Sequence, residues 1–513
     1  MAKKSVILLI LSGFIILKFL LHYFLISPGY DLHSDEFLHL DQANHLAWGY
    51  LSVPPFTSWI SWLIYLLGGS VFWVKFFPGL FGALTIVVVW KAVEELNGNL
   101  FALILSATCV LFSTILRINL LFQPNSFDIL AWTTLSYILI KYFKTEKPKW
   151  LYMAALVLGI GFLNKYNIVF LLTGLLPAII ITQQRKIFIK KDLYFAVVVG
   201  LLVVLPNLLW QYKNDFPVFQ HLRELANTQL VHIHRADFLK GQLLFYTGSL
   251  PVIITAIFAL LFYKPFEKYR TFFWSIIFTL LIFTCLSAKP YYAMGLYPIY
   301  ISFGAVFWGD VLQNRWKSYV KPVLIIVPIL FFIRMYDFTF LNKTPEYIVN
   351  HPEKYRKYGL LRGDDGTEHL LPQDNESMIG WKVLTMKIDS ICTGLPDLEH
   401  TFILCDDYEQ AGAINYYTKN KKVTAHSYHT DYINWIPLDQ KITDAILVKA
   451  HSFDRDRNRL KEAPLFDTVY LATQRVNRYA KEDTISVYVL KGAKVDVNEI
   501  IRGDIDVRKK RVQ

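Results

Sequence analysis

The chain has 513 residues, of which 54% are hydrophobic, 16% aromatic and only 18% charged, with a formal net charge of +12. A soluble domain keeps more charge on its surface than this, so the balance, together with a positive mean hydropathy, marks a membrane protein. The basic excess does not call for nucleic acid as a partner, because Lys and Arg of membrane proteins collect in cytoplasmic loops facing anionic headgroups.

In chain order, "MAKK" precedes "SVILLILSGFIILKFLLHYFLI" at residues 5–26. This stretch suits a spanning helix, exceeds the apolar region of a signal peptide, and is followed by no small-residue cleavage site. With Lys3 and Lys4 inside, residue 29 onward emerges on the external face. Further apolar spans are predicted near residues 71–93, 100–116, 126–143, 150–164, 167–182, 193–210, 243–263, 271–287, 291–309 and 321–336, giving about eleven helices with the first. An odd number leaves the two ends of the chain on opposite sides. Four short basic loops, "KYFKTEKPK" at 141, "QQRKIFIKK" at 183, "YKPFEKYR" at 263 and "QNRWKSYVK" at 313, alternate to the cytoplasmic side. The external set then holds the acidic opening stretch, "RINLLFQPN" at 117, "GFLNKYN" at 161, residues 206–242 and "SAKPYYAMG" at 287.

Between the first two spans, residues 35–68 are too polar to cross a bilayer, yet Trp48, Trp59, Trp62 and Tyr65 recur at helical spacing. Such aromatics suit helices lying in the membrane interface, with Pro54 and Pro55 breaking one from the next. From about residue 341 hydrophobicity drops, and strand-length runs ("TFILCDD" at 401, "DAILVKA" at 444, "TISVYVL" at 484) alternate with helix-like stretches. The expected division is a membrane domain over 1–340 and an external, smaller α/β domain over 341–513. Of the four cysteines, Cys109 and Cys285 fall in apolar segments as ordinary buried thiols, whereas Cys392 and Cys405 can pair if their domain is extracytoplasmic.

Directly after the first helix, "GYDLHSDEFLHLDQANHLAWGYLSVPP" presents Asp35 and Glu36. A carboxylate partly removed from water beside a second negative charge is a better general base, although for an isolated "SDE" Ser34 as a helix cap with acidic residues in the first turn is the simpler explanation. On the same predicted face sit Arg117, Lys165, His221, Lys289, Tyr291, Tyr292 and, just inside its helix, Asp128. Cations and phenols beside carboxylates suit an anionic, phosphate-bearing substrate. Taken singly, Lys165 and Lys289 can snorkel to headgroups, the tyrosines can belong to an aromatic belt, and Asp128 can cap its helix. His33, His39, Asp41 and His45 can ligate a divalent metal, but their spacing matches no formal ligand motif and solvated polar side chains are the simpler expectation.

The stretch "HSDEFLHLDQANHLAWGYLSVPPFTSWI" resembles the first external loop of bacterial GT-C glycosyltransferases, in the group of the dolichyl-phosphate-mannose protein mannosyltransferases and the lipid A aminoarabinose transferases. The blocks "LFQPNSFDILAWTTLSYILIKYF", "GIGFLNKYNIVFL", "PNLLWQYKNDFPVFQHLRELA", "SAKPYYAMGLYPIYISFGA", "LPQDNESMIGWKVL" and "ILCDDYEQAGAINYY" extend the resemblance from about residue 20 to about residue 435. It implies a mostly α, polytopic helix bundle in a bacterial inner membrane, a polyprenyl-phosphate-linked sugar as donor, and an external acceptor hydroxyl on a lipid, glycan or protein. Under it Asp35 is the base of an inverting transfer, Glu36 positions or tunes it, and Lys289, Tyr291 and Tyr292 hold the phosphate. Lys165, Arg117 and His221 are further candidates for phosphate or sugar, and Asp128 for acceptor or sugar. Phe37 and His39 follow the acidic pair where the group often has an aromatic or Arg, which leaves sugar recognition open. Some members of the group use a divalent metal. The competing reading is a transporter or flippase for a lipid-linked saccharide, for which ionisable groups near the midplane are expected; here they cluster at helix ends.

Overall fold

Helices formed by the apolar runs make up the first two thirds of the chain in a computed structural model that describes residues 4–313 and 319–512. A helix lies at each of the eleven predicted spans. Four of them, Lys4–Phe24, Val71–Glu95, Lys191–Lys213 and Val320–Thr339, are long and apolar enough to cross a membrane, and Phe56–Leu66, Leu100–Leu111 and Lys149–Asn164 are shorter apolar helices. At 1.5 Å per residue a 21-residue helix such as Lys4–Phe24 covers about 30 Å, the thickness of a hydrocarbon core. Its outer face is bare, with Leu9 73% exposed, while its inner face stacks Phe19 on Phe76 and Tyr23 on Phe72 of the Val71–Glu95 helix. Aliphatic side chains on an open helix face are stable against lipid rather than water.

Three predicted spans are interrupted, that at 100–116 by a gap between Leu100–Leu111 and Ile115–Ile118. The run at 243–263 breaks into Arg235–Phe245 and Leu250–Phe262, with a 67° bend between them. Gly248 lies in the break, where a Cβ would come within 2.8 Å of the Pro328 backbone, and Pro251 opens the second helix where its missing N–H costs nothing. The run at 291–309 begins with a tight 3-10 turn, Pro290–Leu296, and becomes α-helical only over Tyr297–Val311. That turn carries Tyr291 and Tyr292.

Three predicted basic loops meet at one end of the bundle. Lys141 and Lys144 both reach Glu95, Lys190 pairs with Glu146, and Gln183 and Gln184 donate to the carbonyls of Glu267 and Lys268. Residues 314–318 of the fourth loop lie outside the described residues. The Asn125–Thr145 helix sets the span of the bundle, since Asp128 near its start and Lys144 near its end are separated by about 24 Å of helix.

The predicted interfacial segment folds as Ser34–Asp41 and Phe56–Leu66, with Pro54 and Pro55 between them and Trp62, Tyr65 and Leu66 exposed. Among the described residues strands occur only beyond residue 400. β1 (Thr401–Cys405), β2 (Ala425–Ser427), β3 (Asp444–Ala450), β4 (Phe466–Val476) and β5 (Thr484–Ala493) form one sheet in the order β2-β1-β3-β5-β4. β1 runs parallel to β2 and β3, and β5 antiparallel to β3 and β4. Strand alternation splits the sheet's apolar residues between two faces. Ile403, Ile446, Val448 and Val487 pack with the Trp381–Thr393 and Tyr408–Tyr417 helices, and Phe402, Leu447, Tyr488 and Leu490 with the Val497–Val512 helix. Phe37 and Leu38 of the Ser34–Asp41 helix belong to the first of these cores, which joins the opening loop to the C-terminal part.

All four cysteines are free. Cys392 and Cys405 are buried without pairing, and Cys285, expected to be buried, is exposed because its side of the Arg270–Cys285 helix faces outward.

Candidate functional site

The Ser34–Asp41 helix is capped one residue earlier than the sequence suggests. His33, not Ser34, is the cap: its Nδ1 accepts from the Asp35 N–H at 3.1 Å, and the Glu36 carboxylate accepts from the His33 N–H at 2.7 Å. This reciprocal arrangement points the two acidic side chains in different directions. Glu36 turns inward and has no exposed surface. It pairs with Lys75 at 2.6 Å and accepts the Phe122 N–H at 2.6 Å. Asp35 turns outward with its side chain 43% exposed, accepting from Gln123 Nε2 at 3.0 Å on Oδ2 and from the Tyr408 hydroxyl at 2.8 Å on Oδ1. The adjacent carboxylates therefore divide: one is buried and fully partnered, the other is open to a ligand.

The cations anticipated from sequence come to the same end of the bundle. Arg117 pairs with Asp374 at 2.5 Å, and Asp374 faces His33 Nε2 at 3.6 Å, linking Arg117 to the Asp35 loop. Lys289 pairs with Asp364 at 2.7 Å. Lys165 donates to Asn125 Oδ1 at 2.7 Å and lies over the rings of Tyr292 and Tyr291, 4.5 and 5.2 Å from their centroids. Asp128 is buried, held by Trp132 Nε1 and by Asn167 Nδ2, each at 2.9 Å, and Asn167 also donates to the Tyr292 carbonyl. These bonds connect Asp128 to the tyrosine turn more firmly than to solvent. His221 lies on the amphipathic Pro217–Thr228 helix, half-buried, close enough to Lys289 and Glu224 to sense both charges. The Asp35 carboxylate in turn lies within electrostatic reach of Tyr291.

Local fields follow from this crowding. Burial opposes charge on His33, but its contact with Asp374 and the carboxylates of Asp35 and Glu36 prevail and raise its pKa. Asp374 is pushed well below the ordinary carboxylate range: burial works against this, and Arg117, His33 and Lys289 outweigh it. Burial pulls Lys165 down to about 8, partly countered by Asp128 and reinforced by Lys289. His221 is lowered by burial, with Lys289 acting in the same direction.

The four residues weighed as metal ligands are dispersed. His33 serves the cap, His39 faces Gln42 Oε1, Asp41 accepts from Asn415 and Tyr432, and His45 stacks on Trp435 with centroids 4.3 Å apart. His33, His39 and Asp41 are also buried rather than solvated: His33 lies against Asp374, His39 meets the Phe122 ring edge-on, and Asn415 and Tyr432 cover Asp41. Among the described residues no three His, Cys, Asp or Glu side chains are grouped to hold a metal ion.

Sequence reasoning missed Lys75, Gln123, Asp364, Asp374 and Tyr408. Asp374 and Tyr408 fall inside blocks that carry the family resemblance, but no local pattern singles them out. Lys75 had a general signal, being a charged residue within an apolar span that needs a buried partner.

Residues 52–210 match the family described as dolichyl-phosphate-mannose-protein mannosyltransferase. A curated relative, the lipid A galacturonosyltransferase RgtD of Rhizobium johnstonii, is 24% identical over 269 residues, 51% of this chain and 54% of that protein. The chain thus spans about half the length of the curated relative it matches. Among solved structures, ArnT from Cupriavidus metallidurans bound to undecaprenyl phosphate superimposes with a TM-score of 0.63 at 13% identity, covering 95% of this chain and 98% of that one. The Archaeoglobus fulgidus oligosaccharyltransferase in its apo form gives 0.51 at 11% identity, over 86% of this chain and 70% of that one. Along nearly its whole length the chain therefore has the fold of ArnT, and its segment 52–210 is similar to the dolichyl-phosphate-mannose-protein mannosyltransferases.

Proposed function

We propose that this protein is an integral membrane glycosyltransferase that moves a sugar from a polyprenyl-phosphate donor to an acceptor hydroxyl on the external face, with inversion and with Asp35 as base. The observation that carries this reading is an open carboxylate, Asp35, within electrostatic reach of Tyr291, whose ring and that of Tyr292 lie beside Lys165, with Lys289 near enough for Lys165 to sense its charge, at the end of the bundle away from the basic loops. A polyprenyl tail stays in lipid while its phosphate rides at headgroup level, and helix ends rimmed by exposed Trp62 and Tyr65 suit both halves of that molecule. RgtD is named as a lipid A galacturonosyltransferase and ArnT is described with undecaprenyl phosphate bound, which supports the same donor chemistry here.

In the reaction, the acceptor oxygen attacks the anomeric carbon while its proton passes to Asp35. The bond from that carbon to the phosphate oxygen breaks, and the electron pair leaves with the polyprenyl phosphate. Lys289 and Lys165 meet the growing negative charge, with the tyrosine hydroxyls as further donors. Attack opposite the leaving group inverts the anomeric centre. Glu36, sealed beneath Asp35, positions the loop and takes no proton from substrate. Asp128 orders the tyrosine turn through Asn167.

The pairing of Lys289 with Asp364 fits this scheme, because an exposed carboxylate stands where the donor phosphate would go. The test is sugar transfer by membranes or purified protein offered a panel of polyprenyl-phosphate sugars, with products read by mass spectrometry. Asp35→Asn is expected to insert and fold normally and to lose transfer by at least about 100-fold. A variant as fast as wild type would remove Asp35 from the role.

A further inference from the structure

Asp35 receives two donors from outside its own helix, one on each oxygen. Gln123 Nε2 reaches Oδ2 at 3.0 Å, and the Tyr408 hydroxyl reaches Oδ1 at 2.8 Å. An ionised carboxylate offers about four acceptor sites, so one donor per oxygen fixes the plane of the group and leaves lone pairs free for an acceptor hydroxyl. The two donors come from separate parts of the fold: Gln123 precedes the Asn125–Thr145 helix, and Tyr408 is the first residue of the Tyr408–Tyr417 helix, 373 positions from Asp35 in sequence.

The rest of the Tyr408–Tyr417 helix is locked to the Asp35 helix more tightly than a simple cover requires. At Gly412 a Cβ would sit 2.6 Å from Phe37 Cβ and 2.7 Å from the Tyr432 hydroxyl, so only glycine permits this approach. Asn415 and Tyr432 both donate to Asp41 Oδ2, at 2.8 and 2.5 Å. The Tyr417 hydroxyl accepts the Leu32 N–H at 2.9 Å, and Tyr416 donates to the Gly69 carbonyl at 2.8 Å. At the helix start, Glu409 is buried and paired with Lys481 at 2.7 Å. Contacts on both sides of Asp35, at positions 32, 37 and 41, therefore fix where the Tyr408 hydroxyl lies.

We propose that Tyr408 is a positioning residue for Asp35, clamping it together with Gln123, so that the C-terminal α/β part supplies half of the base's geometry. This rests on the reading of Asp35 as base. Tyr408 takes no proton from substrate; its hydroxyl holds Oδ1 so that the free lone pairs face the acceptor.

The test uses the full-length protein in the sugar-transfer assay. Tyr408→Phe keeps the ring and removes only the donor; the expected result is a kcat lower by about ten- to a hundredfold, the range for a hydrogen bond to a charged group. The KM values for donor and acceptor and the melting temperature are expected to stay at wild-type values. Gln123→Leu, which frees the other oxygen, is expected to give the same kcat-only loss and serves if the Phe variant does not fold. Whatever rate remains in Asp35→Asn should not fall further when Tyr408→Phe is added. A wild-type kcat, a loss confined to KM, or independent losses in the double variant would each overturn the proposal. Should Asp35→Asn itself prove fully active, the base assignment falls; should it be dead while Tyr408→Phe is normal, only the clamp falls.

Discussion

Replacing Lys75 by Met leaves the Glu36 carboxylate at the bottom of the opening loop without its counter-charge. Glu36 has no exposed surface, and four donor contacts converge on it: Lys75 Nζ at 2.6 and 2.8 Å, the Phe122 N–H at 2.6 Å and the His33 N–H at 2.7 Å. The two backbone donors survive the substitution, but the charge does not. Stranding one member of a buried ion pair costs about 3–5 kcal/mol, far above the 0–1 kcal/mol of an exposed pair. Glu36→Gln strands Lys75 instead and should cost a similar amount. The double variant Lys75→Met/Glu36→Gln removes both charges and should be less destabilised than the sum of the singles by up to about 3 kcal/mol. Chemical unfolding in detergent, followed by tryptophan fluorescence, measures all three. Single variants within 1 kcal/mol of wild type, or strictly additive effects, would refute the claim that Glu36 acts as an anchor. Activity sharpens the contrast: folded Glu36→Gln should keep most of its sugar transfer, whereas Asp35→Asn should fold normally and lose transfer by at least about 100-fold.

Two further outcomes follow from the site's charges. Because Lys165 in the free protein loses its proton near pH 8, kcat/KM for the lipid-linked donor should fall as pH rises through about 7 to 9, and Lys165→Met should lower donor affinity and flatten that limb; an unchanged limb would place the titration elsewhere. Single cysteines at exposed Asn44 and Lys186 should be labelled by a membrane-impermeant maleimide from opposite sides of an intact vesicle, Asn44 from the external side; labelling of both from one side would reverse the topology.

The membrane half was legible because lipid imposes a simple rule: about twenty apolar residues per crossing, and a run of that kind cannot hide. What escaped were departures from uniform helix. The break at Tyr246–Ser249 depends on Gly248 meeting Pro328 from another helix, a contact that local hydropathy cannot encode. β4 has no clean alternation, being an edge strand with Tyr470, Leu471 and Val476 exposed, so its sequence lacks the signature of a half-buried strand. In the site, Asp35 and Lys289 stood out because a charge at the end of an apolar run needs a reason. Tyr408 did not, since an aromatic opening a helix of a mixed domain has many ordinary uses. Its meaning exists only once the chain has brought it to Asp35.

The same contacts separate the cations by task. Arg117 is committed: Asp374 binds it on one side and faces His33 on the other, and His33 holds the Asp35 backbone through the helix cap. Pulling Arg117 away to a phosphate would loosen the cap that holds Asp35. Lys289 carries no such duty, because its partner Asp364 bonds to Gln373 and not to the cap of the Asp35 helix. Lys165 faces the tyrosine rings and a neutral amide, so an arriving anion costs it no ion pair. Under the proposed reaction the phosphate therefore goes to Lys289 and Lys165, where counter-charge is exchangeable or absent, and Arg117 stays behind Asp374. Charge-removing substitutions should sort accordingly, Lys289 and Lys165 through donor affinity and Arg117 through the rate of the bound complex.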